Sequence, residues 1–214
     1  MFREIASNEI FTILLVIALA IIAIAKLTAP KRFEDFIFVI GNSKYLKIYS
    51  KDQKFLDKFD ALLFTNLIIS ASIFAYIIYQ FQFQIKSISI NTLFKFAIGI
   101  GAFILVKVLL ERLIGSLFEL DKILDQYIFQ KISYKNYLGI LLLPINAIML
   151  YSFNLTLTLI YIMITILLIV NIIGLITSFK THQSLIKQHF FYFILYLCAL
   201  EIAPYVILYK VFII

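Results

Sequence analysis

The chain has 214 residues, 63% of them hydrophobic and only 14% charged, against about 45–50% and about 25% in soluble globular domains. That balance excludes an ordinary water-soluble fold, and the length suits one integral membrane domain, 1–214, with no separate soluble part beyond loops. A formal charge of +7 would suggest a nucleic-acid partner in a soluble protein; in so apolar a chain it reports loop topology, and no nucleic acid is expected.

Six segments approach the roughly 20 apolar residues that a bilayer core requires of a helix: 10–25, 61–79, 92–110, 138–153, 155–179 and 189–214. The predicted fold is all-α, a polytopic membrane helix bundle of about six transmembrane helices, with amphipathic cytoplasmic loops at 26–60 and 111–137. The first segment follows Ser7, Asn8 and Glu9, a helix-start pattern, and ends at Lys26 before the Ala29–Pro30–Lys31–Arg32 break. Ala23–Ile24–Ala25 resembles a signal-peptide cleavage site. Met1–Glu9, however, holds one arginine and two glutamates where a signal peptide carries net positive charge. An uncleaved anchor is expected.

In the loop that follows, Phe33, Phe36, Ile37 and Ile40 fall at i, i+3, i+4 and i+7, an amphipathic helical stripe. Gly41–Asn42–Ser43 interrupts it, and a second stripe runs from Tyr45, Ile48 and Tyr49 toward Phe55, Leu56 and Phe59. Lys31, Arg32, Lys44, Lys47, Lys51, Lys54 and Lys58 flank both stripes. Such a basic loop is expected to lie in the headgroup layer against anionic inner-leaflet lipid, with aliphatic stems buried and ammonium groups in water. A docking surface for a partner is the alternative.

The second segment carries Asn66, Ser70 and Ser72. After it, Phe81, Phe83 and Ile85 alternate with polar residues, which favours extended structure over 80–91. Such a stretch either rests at the interface or adds a strand to another protein's sheet. In the third segment Gly99 and Gly101, with Ala97, read as close helix packing. This helix is expected to run on past Lys107 as an amphipathic helix, with Leu113, Leu117, Leu120, Leu124 and Ile128 on one side and Lys107–Glu111 as an i, i+4 pair, packing on the chain's own first loop in preference to offering a seam to a partner. The fourth and fifth segments are nearly continuous. Roughly 40 residues in one helix would overshoot a bilayer, so a tight hairpin is expected around Ser152–Asn154.

Orientation follows from lysine and arginine. Eight fall in 26–60, five in 107–135, and Lys180 and Lys187 before the last segment make fifteen on one side. Arg3, Lys86, Lys95 and Lys210 make four on the other. Both termini are therefore expected outside, with the long loops in the cytoplasm.

Glu201, in the last segment, is the acidic residue placed deep in an apolar stretch, a setting that by default hints at function. At about 1.5 Å per residue it lies roughly 18 Å from the cytoplasmic face, and Asn146 roughly 12 Å. Pro204 and Pro144 each remove a backbone donor, so two kinked helices could surround a small polar pocket formed by Glu201, Asn146, Tyr205 and Pro204. Three readings stay open for Glu201: a proton or cation site, a neutral carboxyl bonding a neighbouring helix, or a charge paired with another subunit.

No Gly-rich phosphate loop, GxSxG elbow or HExxH pair occurs. A single cysteine, Cys198, supports no disulfide framework, and His182 and His189 match no ligand spacing. No enzymatic activity, cofactor or metal is expected.

Three strings, 42–55 (NSKYLKIYSKDQKF), 129–147 (FQKISYKNYLGILLLPINA) and 191–210 (FYFILYLCALEIAPYVILYK), resemble a Bacteroidota family of small multi-pass membrane proteins known only as a domain of unknown function. The resemblance covers nearly the whole chain. It implies a Gram-negative inner membrane and transfers no catalytic role to any position. The expected function is that of a non-enzymatic subunit or scaffold of a larger cell-envelope membrane complex, partnered by the bilayer and by other membrane subunits. The alternative is a small proton-coupled transporter or channel subunit built on Glu201 and Asn146.

Overall fold

The computed structural model describes residues 9–41, 44–50, 57–85, 88–117, 121–152 and 155–181. Seven α-helices occur among them: α1 (Glu9–Thr28), α2 (Pro30–Ile37), α3 (Lys44–Tyr49), α4 (Lys58–Phe83), α5 (Ile90–Leu117), α6 (Asp121–Ala147) and α7 (Leu157–Thr181). A π-helical turn, Ile148–Ser152, prolongs α6. No strand occurs among the described residues.

Local chemistry accounts for several boundaries. Pro30 opens α2, where its missing N–H costs nothing and its fixed φ suits a first turn. Asp57 caps α4 by accepting from the Phe59 N–H. Ser89 Oγ accepts from Thr92 N at the start of α5, and Thr156 Oγ1 from Leu159 N at the start of α7. Each hydroxyl or carboxylate takes up an N–H that the first turn leaves without a helical partner. α4 ends at Gln84, whose left-handed φ of 53° turns its N–H back to the Gln80 carbonyl.

Among the described residues four helices are long and apolar enough to cross a membrane: α1, α4, α5 and, over Leu157–Gly174, α7. They account for four of the six expected segments. Segment 138–153 is the far half of α6, whose first half carries Asp125, Lys131 and Lys135. Segment 189–214, with Glu201, Pro204 and Tyr205, lies outside the described residues, as do Lys51 and Lys54.

Two further expectations are corrected. The apolar period of α4 carries the helix through Phe83, so 81–83 is helical rather than extended. The stretch beyond Lys107 is not one protruding helix. α5 stops at Leu117, and α6 folds back along it, with Arg112 Nε donating to Asp125 at 3.1 Å and Lys131 to Glu111 at 2.5 Å.

Packing centres on α4, which touches α1, α5 and α6, while α7 covers the far side of α6. The chain passes between two ends of the bundle. One end carries α2 and α3, the end of α5 and the first half of α6, because Tyr45 stacks on Phe129, Phe36 packs on Tyr137 and Lys131 pairs with Glu111. The other carries the start of α1, the end of α4, the start of α5 and the π turn after α6, joined by Tyr76 with Ser89 and Thr12 with Tyr151. α4 and α6 therefore run parallel, and at their crossing Gly139 lies directly on the Leu67 backbone.

The close packing expected at 97–101 is met at Gly101, where a Cβ would stand 3.2 Å from Ile68 Cδ1 on α4, and not at Gly99. Nothing comes within 4 Å of a Cβ built at Gly99, whereas at Gly139 it would stand 2.7 Å from Leu67 Cα. Gly139→Ala must push two backbones apart, a cost of about 1–3 kcal/mol. Gly99→Ala only removes a glycine from a helix and should gain about 0.5–1 kcal/mol. Thermal melts of the two variants in the same detergent should move in opposite directions; equal shifts would contradict the crossing.

Candidate functional site

Three polar groupings stand out in an otherwise apolar interior. The first is built on Arg32, in the first turns of α2. One guanidinium nitrogen donates to Asp57, and the other donates to Asp60 at 2.8 Å. Its carbon lies 4.7 Å from the Phe59 ring centre and 5.1 Å from that of Tyr49. The guanidinium thus meets two carboxylates in its plane and aromatic rings around it, a combination a lysine could not reproduce.

Around this cage Phe36 meets Tyr45 and Phe59 edge-on, and Tyr45 stacks on Phe129 at 5.6 Å. Burial pushes the Tyr45 phenol well above its ordinary pKa, and the Asp60 carboxylate adds to the shift while Arg32 opposes it. Tyr45 therefore stays protonated as a donor near neutral pH. Part of each apolar stripe faces protein: Phe33, Phe36 and Tyr45, with Val39 and Leu46, are buried against Ala25, Phe59, Leu63 and Phe129. Ile37, Phe38 and Ile48 remain exposed, together with Lys31, Lys44, Lys47 and Lys58. Lys44 pairs with Asp35 at 2.9 Å, which raises its pKa.

The second grouping lies between α5 and α6. Glu111 is fully buried and Lys131 nearly so, and they form the 2.5 Å pair. Lys107, one turn before Glu111 on α5, is also buried. The sequence suggested Glu111 only as an i, i+4 partner of Lys107. Its pairing with Lys131 depends on the reversal between α5 and α6, which no local spacing announces.

The third grouping separates two apolar clusters along α4 and α6. Toward the α2–α3 end lie Phe59, Leu63 and Phe129, with Ile140 against them; toward the other end lie Ile73, Leu143 and Met149. Asn66, Ser70, Ser133 and Asn136, all buried, sit in the same helical stripes, and Asn146 follows on α6. Asn146 Nδ2 donates to the Ser70 carbonyl at 2.8 Å, and Ser70 Oγ lies 3.5 Å from Asn66 Oδ1. Four amide atoms, Asn66 Nδ2, Asn136 Nδ2, Asn136 Oδ1 and Asn146 Oδ1, have no hydrogen-bond partner among the described residues. A dry interior would charge about 1–3 kcal/mol for each.

Of the residues singled out from the sequence, the structure joins Asn146 to Ser70 and turns Arg32 inward, while Lys31, Lys44, Lys47 and Lys58 face outward. Asn136 escaped sequence reading because it fell in the expected loop 111–137. The seven-residue steps Phe129, Asn136 and Leu143 were the available signal, since positions seven apart share a helix face. Among the described residues no cluster of three or more histidine, cysteine, aspartate or glutamate side chains could hold a metal.

Removing one partner of a buried ion pair costs about 3–5 kcal/mol, whereas replacing both with apolar residues is often neutral. Glu111→Gln should therefore lower the melting temperature sharply. The double replacement Glu111→Leu with Lys131→Met should recover most of the loss. A double variant no better than the single one would show that the pair is not the unit of stability.

No curated protein and no solved structure matches the chain. A family model described as a domain of unknown function, DUF4271, matches residues 11–212, from the first turn of α1 to beyond the last described helix. The match takes in the Arg32 cage, the Glu111–Lys131 pair and the α4–α6 crossing together, and the chain belongs to the DUF4271 family.

Proposed function

We propose that the chain is a multi-pass protein of the inner membrane of a Gram-negative bacterium of the Bacteroidota, and that it acts as a non-enzymatic subunit or scaffold of a larger envelope complex. Four helices apolar enough to cross a bilayer support the membrane reading. Fifteen basic residues against four give the orientation, with the α2–α3 end in the cytoplasm and both termini periplasmic.

The observation that carries the scaffold reading is the cap formed by α2 and α3. Its aromatic residues and Arg32 are spent on holding it to α4 and α6, which makes it a fixed platform rather than a loose loop. It leaves Lys31, Lys44 and Lys47 exposed, and with them Ile37, Phe38 and Ile48. Basic and apolar groups together suit a partner subunit, and they also suit anionic lipid at the inner leaflet.

The tagged protein, purified from its native membranes in mild detergent, should bring down a stoichiometric membrane partner. Arg32→Ala should release that partner while the bundle still elutes as a folded species, because it unfastens the cap and leaves α4–α6 intact. Migration of the wild-type chain alone sinks the scaffold reading.

A second reading, a small proton-coupled transporter or channel subunit, draws on the buried amide layer that includes Asn146. It assigns Glu201 the proton. Glu201→Gln should then abolish complementation of a deletion strain at normal expression, whereas a structural neutral carboxyl tolerates the amide.

A further inference from the structure

We propose that the seam between α4 and α6 holds ordered internal water that meets the buried amides of Asn66, Asn136 and Asn146. The starting point is four amide atoms of these three side chains, all fully buried, that have no partner among the described residues. They sit on facing stripes of two helices in backbone contact at Gly139 and Leu67. Ser70 ties Asn146 to Asn66, so at least these two belong to one connected patch.

The orientation of Asn146 is set by chemistry. The Ser70 carbonyl can only accept, so the Asn146 amine must face it and the Asn146 oxygen must point elsewhere. Asn136 presents both its oxygen and its amine, whichever way the amide is turned. The open set therefore holds donors and acceptors together: Asn136 Nδ2 and Oδ1, Asn146 Oδ1, the Ser133 hydroxyl, and the end of the Asn66 amide that the Ser70 hydroxyl leaves over.

That mixture of donors and acceptors points to the ligand class. The complement is a neutral molecule that both donates and accepts. Water does so, and buried water typically makes two to four hydrogen bonds to such groups. The Ser70 and Ser133 hydroxyls lie in the same stripes and can extend the network. The site does not depend on whether the protein is a scaffold or a transporter.

The test uses the full-length protein in detergent. X-ray radiolysis creates hydroxyl radicals from water in place, so side chains beside internal water are labelled despite burial. Leu63 and Leu67 should be labelled well above buried residues of the apolar clusters such as Ile73 and Leu143. Asn136→Leu should reduce that labelling at least threefold and lower the melting temperature by several degrees, roughly 3–6 °C. Labelling at Leu63 and Leu67 no greater than at Ile73 overturns the proposal in the wild-type protein itself, independent of how any variant folds. A rise in melting temperature for Asn136→Leu overturns it too, since a dry seam gains from losing an unmet amide.

Discussion

The backbone contact of Gly139 on Leu67 is the constraint from which the rest of the arrangement follows. It lets α4 and α6 approach more closely than side chains on both would allow, and α4 is then left free to hold α1 and α5 on its remaining faces. Gly174 repeats the device on the far side of α6, where a Cβ would strike the Tyr134 ring at 2.7 Å, and so seats α7. Glycine serves here for its missing side chain, not for backbone freedom. Each of these contacts trades helix propensity for dispersion contact along the seam.

Charge plays a different part at each level of the bundle. At the α2–α3 end Arg32 connects α2 to the cap and first turn of α4, so a residue 25 positions upstream of Asp57 determines how the second long helix begins. Between α5 and α6, Glu111 and Lys131 satisfy each other where neither could be left alone. In the centre, uncharged amides replace ions. Exposed lysines, paired buried charges and neutral buried amides are three answers to the cost of taking a charge out of bulk water.

Helix positions were legible in the sequence because a long apolar run, or a stripe at helical spacing, is its own signal. The first, second and third apolar segments fall within α1, α4 and α5, and the fifth overlaps α7 from Leu157 on. What escaped were partnerships. The stripe of Phe33 and Phe36 announced an amphipathic helix, but an apolar face looks the same whether lipid or Phe59 will cover it. Lys107 and Glu111 are neighbours in sequence, so the eye stops there, while Lys131 arrives only through a chain reversal. Gly139 gave no motif at all, because its partner is a leucine on another helix. Pairwise geometry between distant segments is not encoded in any local period.

The amide layer also acts as an axial key. Parallel helices lined only with leucine and isoleucine can slide by one turn, about 5.4 Å, and find nearly equivalent packing. Here such a slip would carry Asn66 toward the Leu143 level and Asn136 toward Leu63 or Phe59, placing amides against hydrocarbon and parting Asn146 from the Ser70 carbonyl. A single polar position is known to set helix register at some cost in stability. In this bundle three asparagines on two helices do so together, which makes the relative height of α4 and α6 discrete: there is one alignment, and no continuum of neighbouring ones.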